Sequence, residues 1–152
     1  MVALLSVSWA TKGGGTLVNE PWRRRVLYIA GVWNVLGGVS ALVDPTRHFS
    51  QLYNAALSLG EPLQAFFYRA TWINVIAWGI GYILAGRIPT ARLPILAAGG
   101  AGKVAYFGAC LSLCVSGVGN AMLLSAGLVD LVFAACFASV LWSQRSGPPP
   151  VG

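Results

Sequence analysis

The chain has 152 residues, 57% of them hydrophobic and 9% charged, with a formal net charge of +6 and a mean hydropathy of +0.70. A soluble globular domain carries roughly 25% charged residues, so a soluble enzyme is excluded. A disordered chain and a disulfide-stapled secreted module are excluded as well, because apolar residues dominate and all three cysteines sit inside apolar runs.

In chain order, residues 2–5 form a short apolar run with no basic stretch before it, and Gly13, Gly14 and Gly15 follow without a small-residue cleavage pattern. No cleaved signal peptide is expected there. A bilayer core of about 30 Å needs roughly 20 apolar residues per helix, and residues 26–43, 65–85, 93–115 and 121–142 meet that length or nearly so. The expected fold is therefore all-α, an integral membrane four-helix bundle formed by the whole chain as one domain. Arg87, Pro89, Arg92 and Pro94 punctuate the second link, and Ser116 to Asn120 make a short third link that turns the last two spans into an antiparallel hairpin. The tail Gly147, Pro148, Pro149 and Pro150 reads as an extended end.

Charge sets the orientation. Lys12, Arg23, Arg24 and Arg25 precede the first span, Arg87 and Arg92 lie in the second link and Arg145 follows the last span, leaving only Arg47 and Arg69 on the opposite side. The positive-inside rule then puts both termini in the cytoplasm. The net charge reflects this asymmetry, and no nucleic-acid partner is expected.

Between the first two spans, Asp44 and Pro45 signal a helix start, and Gly60 followed by Pro62 signals a stop. Phe49, Leu52, Tyr53, Ala56 and Leu57 recur at helical spacing, so an amphipathic helix over residues 45–59 is expected along the outer membrane surface. His48 lies one turn after Asp44 and reads as structural, with a ligand contact as the sharper alternative. It is the single histidine, so a metal site built around it has no second imidazole.

Two ionisable residues fall near mid-span, Lys103 and Asp130. Each costs about 2.5 to 3.5 kcal/mol at a helix centre on insertion scales, which calls for a partner. The hairpin puts them at the same depth, so they are expected to pair. Asn34 and Asn74 lie near mid-depth of the first two spans and complete a four-membered polar layer. The layer either fixes helix register or forms a titrating pair in a proton or ion path.

Arg69 enters the second span after Phe66, Phe67 and Tyr68 and is read as a snorkelling anchor, or else as a contact for an anionic headgroup or substrate. Trp22, Tyr28, Trp72, Tyr82 and Trp142 are expected in interfacial belts, whereas Trp33 and Trp78 fall deeper, against helices, lipid or a pigment. Ala97 to Gly102 with Ala105 and Ala109, and the series Ala77, Gly81, Ala85, present small faces suited to close packing between the second and third spans or between two copies.

Two further patterns fail as sites. Residues 96–104 imitate a phosphate loop, yet Ala97 and Val104 stand where that motif needs Gly and Ser or Thr. Cys110 and Cys114 share a helical face without a further soft ligand at their level.

Tyr68-Arg69, the run Gly79-Ile80-Gly81-Tyr82 with Ala85-Gly86-Arg87, the stretch Gly99 to Lys103, and Asp130 with Phe133 and Phe137 together resemble a group of small four-span bacterial membrane proteins of uncharacterised function. The resemblance covers residues 65–142. It implies that Arg69, Lys103 and Asp130 are shared features of such proteins, and it implies no activity.

With no catalytic signature, the leading expectation is a non-catalytic accessory or scaffold subunit of a bacterial cytoplasmic membrane, packed against lipids and other membrane subunits or itself in a larger assembly, of which an energy-converting one is a candidate. The alternative is a small oligomeric transporter or proton-handling protein that uses Lys103 and Asp130. A cofactor stays unassigned, whether pigment, quinone or specific lipid.

Overall fold

A computed structural model describes residues 20–145 of the chain. The expectations for residues 2–5, Lys12, the glycines that follow it and the proline tail lie outside the described residues. Five α-helices run in the order α1 (Glu20–Val43), α2 (Pro45–Leu52), α3 (Pro62–Arg87), α4 (Arg92–Val115) and α5 (Ala121–Arg145), with one 3-10 turn at Pro89–Ala91 before α4. The segments Glu20–Val43, Pro89–Val115 and Ala121–Ser143 are long and apolar enough to cross a membrane. At 26 residues α3 is equally long, about 39 Å at 1.5 Å per residue, but Arg69 and Asn74 make it more polar. The outward faces are apolar, with Leu36 64% and Val132 62% exposed, as expected of helices that face lipid.

The helices pair as α1 with α3 and α4 with α5, and the two pairs touch more sparingly. Helices with outward faces this apolar are held together chiefly by close backbone approach and polar contacts. Gly31 and Gly79 supply that approach across α1 and α3, since a Cβ on either would fall 2.7 Å from the other's carbonyl oxygen. The close seam thus differs from the expected one. Space lies open beside Gly81, so the Ala77, Gly81, Ala85 series is not a packing face along its length. Gly99 alone carries the small-residue approach between α4 and α3, where the Tyr82 ring lies on it.

Two apolar clusters join the helix pairs, one at each end. Leu27, Ala30, Tyr82, Ala85, Leu96, Phe137 and Val140 form the first, at the end where α1 and α4 begin. Leu52, Cys110 and Leu123 form the second, under α2.

The amphipathic helix is shorter than expected. Asp44 does cap it, its Oδ1 accepting from the Arg47 N–H at 3.1 Å, with Pro45 in the first turn. It ends at Leu52, however, rather than running to residue 59. Tyr53 turns extended (φ −126°, ψ 143°) and bridges to Gly119 in the turn between α4 and α5. The Asn54 N–H donates to the Val118 carbonyl at 2.7 Å and the Asn120 N–H to the Leu52 carbonyl at 3.1 Å. The Asn120 side chain serves both partners, donating to Gln51 O at 2.9 Å while its Oδ1 caps α5 at the Met122 N–H, also 2.9 Å away. Backbone pairing with a distant turn therefore replaces two further helical turns, and Ala56 and Leu57 fall outside the helix. Gly117 has φ +77°, in the left-handed region that glycine adopts without strain, and this lets the α4–α5 turn close.

Candidate functional site

A cavity of about 550 Å³ lies between the two apolar clusters. One face of each long helix lines it. α3 contributes Trp72, Val75, Trp78 and Tyr82, and α4 contributes Gly99, Gly102, Lys103 and Tyr106. These spacings of three and four residues are those of a single helical face.

Lys103 is 4% exposed and forms part of the wall of this space. Its Nζ lies 2.5 Å from Asp130 Oδ1 and donates to Asn34 Oδ1 at 3.2 Å. The ammonium also stands 5.6 Å from the centre of the Tyr82 ring and 5.3 Å from that of Phe133, within the range of cation–π attraction. Three of the four expected polar-layer residues thus meet. The fourth does not: Asn74 is exposed on α3. It lies one residue from Val75, which is a rotation of about 100° around the helix, so similar depth does not bring it inward. Tyr82 takes its place facing Lys103.

At the α2 end, His48 and Gln51 reach the cavity. His48 Nδ1 is 3.3 Å from the Tyr68 hydroxyl, which also approaches the carbonyls of Ala41 and Pro45 at 3.3 and 3.4 Å. The imidazole stands edge-on to Trp72, ring centres 4.5 Å apart. Burial lowers the His48 pKa below its ordinary value, so the ring is neutral at pH 7. Trp33 and Trp78 line the cavity while staying 47% and 37% exposed. Arg69 stands exposed on α3 and is not among the residues lining the cavity.

Trp72 and Tyr82 are corrections to the belt assignment. Trp72 faces the cavity, and Tyr82 is 2% exposed, packed against Phe137 at 5.0 Å between ring centres. Tyr106, also on the cavity wall, carries no expectation from the sequence. Its spacing of three from Lys103 and seven from Gly99 is the signal that finds it.

A second polar cluster closes the opposite end. Arg92, expected in a loop, is 2% exposed. Its guanidinium holds both carboxylate oxygens of Glu20 at 2.6 and 2.9 Å and donates to the carbonyl of Ala85 at 2.9 Å. Arg24 donates to Gly86 O at 3.0 Å and Arg23 to Ser143 Oγ at 2.9 Å. Glu20 is 72 residues from Arg92, too far apart for any local pattern to link them. This clamp ties the starts of α1 and α4 to the ends of α3 and α5, below the cavity floor.

The glycine-rich stretch at residues 96–104 lies inside α4 as continuous helix, without a loop that could cradle a phosphate. Cys110, Cys114 and Cys136 are free thiols.

Chemically, the arrangement is an electroneutral ion pair on the wall of an aromatic cavity. Asp130 is the more accessible partner, its side chain 15% exposed against 4% for Lys103. Within such a pair a proton can pass from ammonium to carboxylate, or a neutral polar ligand can bind, without burying net charge. The chain matches no protein-family model, and neither the curated proteins nor the solved structures contain a significant match to it.

Proposed function

We propose that the chain is a four-span integral membrane protein of the bacterial cytoplasmic membrane, with both termini inside, that passes a proton or small solute through the site at Lys103 and Asp130. The observation that carries this reading is the cavity of about 550 Å³ opening onto that pair. A pair kept only for register needs no such space, and apolar side chains of similar volume would hold the helices at no loss of stability. α3 acts as the remaining span, packed along α1 through Gly31 and Gly79. The orientation rests on Arg23, Arg24, Arg25, Arg87 and Arg92 clustering at one end, with Arg47 and Arg69 at the other.

The test is flux in proteoliposomes carrying an internal pH dye under an imposed gradient. Wild-type protein dissipates the gradient, and the double variant Lys103→Met/Asp130→Leu, which removes both charges together, does so at least about tenfold more slowly. Equal rates for the two proteins would overturn the reading.

One observation favours a second reading, an accessory subunit in a larger membrane assembly. A shallow apolar groove runs between α4 and α5 on the face away from the cavity, lined by small residues that include Ala97, Gly100, Ala101, Ala134 and Ala138. Such a surface accepts another helix at close range. Native mass spectrometry of protein extracted in mild detergent, with an absorption spectrum, decides it. Other polypeptides or a chromophore in fixed ratio support the subunit reading, and a chain that emerges alone removes it.

A further inference from the structure

We infer that the cavity takes a lipophilic organic cation, a compact onium ion or protonated aromatic amine, which binds against Asp130 in exchange for the proton on Lys103. This inference rests on the reading of the cavity as a solute site and names its substrate class.

The walls point to a cation. Trp33, Trp72, Trp78, Tyr82 and Tyr106 converge on one space from three helices, and Trp and Tyr faces attract positive charge most strongly where water is scarce. The carboxylate is available for it. Lys103 is the only hydrogen-bond donor to Asp130 among the described residues, and it engages Oδ1. The ammonium borders the same space but is the more buried of the two, 4% exposed against 15%, and is held by Asn34 and the rings of Tyr82 and Phe133. An incoming ligand therefore meets the acid before the base. An anionic ligand would instead lie beside the more accessible carboxylate, and no arginine lines the cavity.

Charge balance then dictates an exchange. The cavity holds one positive and one negative side chain, and a second cation would compete with the Lys103 ammonium for a single carboxylate in a site of low dielectric. The site stays neutral when an N–H bond of Lys103 Nζ breaks, its electron pair remaining on nitrogen, and the proton leaves to water. The neutral amine keeps its hydrogen bond to Asn34, and the ligand cation takes over the pairing with Asp130.

The titratable groups facing the acid are few. α4 offers Lys103, Tyr106 and, behind the wall, the Cys110 thiol, α3 offers Tyr82, and α2 offers His48 at the far end; from α1 comes only the uncharged Asn34, and α5 adds none. Phenols titrate near 10, so between pH 6 and 9 the exchange falls to Lys103, with His48→Gln and Cys110→Ala as the controls for the imidazole and the thiol. Entry is lateral, past the half-exposed Trp33, where α1 and α5 scarcely touch.

The experiment uses the full chain in detergent with tetraphenylphosphonium as probe. Isothermal titration in buffers of different ionisation enthalpy counts protons. The expected result is close to one proton released per probe bound, an affinity that weakens about tenfold per pH unit lowered, and binding at least about tenfold weaker for neutral triphenylphosphine oxide. Lys103→Met is expected to bind the cation without proton release or pH dependence. Asp130→Asn is expected to lose binding, and the Lys103→Met/Asp130→Leu double variant covers the case in which that single variant fails to fold. Binding without proton release in the wild type, equal binding of the neutral probe, or binding that survives in the double variant overturns the inference, as does failure of the cation to bind. Proton-coupled binding with no flux in liposomes would remove the transport reading and leave the cation site standing. Flux without cation binding would do the reverse.

Discussion

Replacing Lys103 or Asp130 alone is expected to cost more stability than replacing both. At 2.5 Å and an effective dielectric near 20, the attraction is on the order of 7 kcal/mol. Bringing two charges to mid-span costs about 2.5 to 3.5 kcal/mol each, about 5 to 7 together, so the pair roughly breaks even against lipid. Removing one partner leaves the other charge buried and uncompensated, a loss of about 3 to 5 kcal/mol. In the double variant Lys103→Leu/Asp130→Leu both terms vanish together. What remains is the Asn34 amide without its donor, about 1 to 2 kcal/mol. The assay is equilibrium unfolding in mixed micelles followed by tryptophan fluorescence, supported by folded yield. A double variant clearly more stable than either single variant is the expected outcome. Additive losses would refute the coupling, and with it the claim that each charge is in the membrane because of the other.

The remaining predictions concern the ends and the seams. Arg92→Leu leaves the Ala85 carbonyl without its donor and is expected to cost about 2 to 3 kcal/mol, the Glu20 carboxylate, 51% exposed, turning to water, whereas Glu20→Gln keeps an acceptor for the guanidinium and costs about 1 kcal/mol or less; near-equal losses in a thermal melt would contradict this account of the clamp. Gly79→Ala puts a Cβ 2.7 Å from Gly31 O and is expected to cost about 1 to 3 kcal/mol by forcing α1 from α3, while Gly81→Ala meets open space and gains up to about 1 kcal/mol of helix propensity; the opposite order of melting temperatures would show the seam to be elsewhere. Burial lowers the His48 pKa, so the unfolded chain binds this proton more readily than the folded one. The stability His48 contributes is then complete above the ordinary histidine pKa near 6.5 and is lost as pH falls through and below it. Melting temperatures measured from pH 8 to 5 are expected to fall less in His48→Gln than in wild type, and parallel curves would disprove the assignment.

The legible part of this protein is its spacing along the helix axes. The long helices follow from apolar run length, and the Lys103–Asp130 pair follows because the short link at residues 116–120 folds α5 back on α4 and equalises their distance from the turn. Both are one-dimensional facts, so a sequence read in order contains them. The cap at Asp44 is legible for the same reason, being set by neighbours three residues apart.

What the sequence could not determine is rotation about the helix axes and contact between distant segments. Asn34 and Asn74 look alike by depth, yet one meets Lys103 and the other faces outward, because 100° per residue turns a step of one position into a different neighbour. Arg92 reads as a loop cation until the start of α1 arrives beside it. α2 has the periodicity to continue past Leu52, but its backbone finds better partners in the α4–α5 turn. The cavity itself has no sequence signature. It exists because glycine-close packing draws α1 onto α3, the short turn draws α5 onto α4, and the two pairs are joined by apolar clusters at their ends, with the polar contact of Lys103 to Asn34 between them. Composition and run length thus determined that the chain is helical and apolar enough for a membrane, since those depend on each segment alone. Only tertiary structure could decide which polar groups share an interior, since that depends on the angles at which separate segments meet.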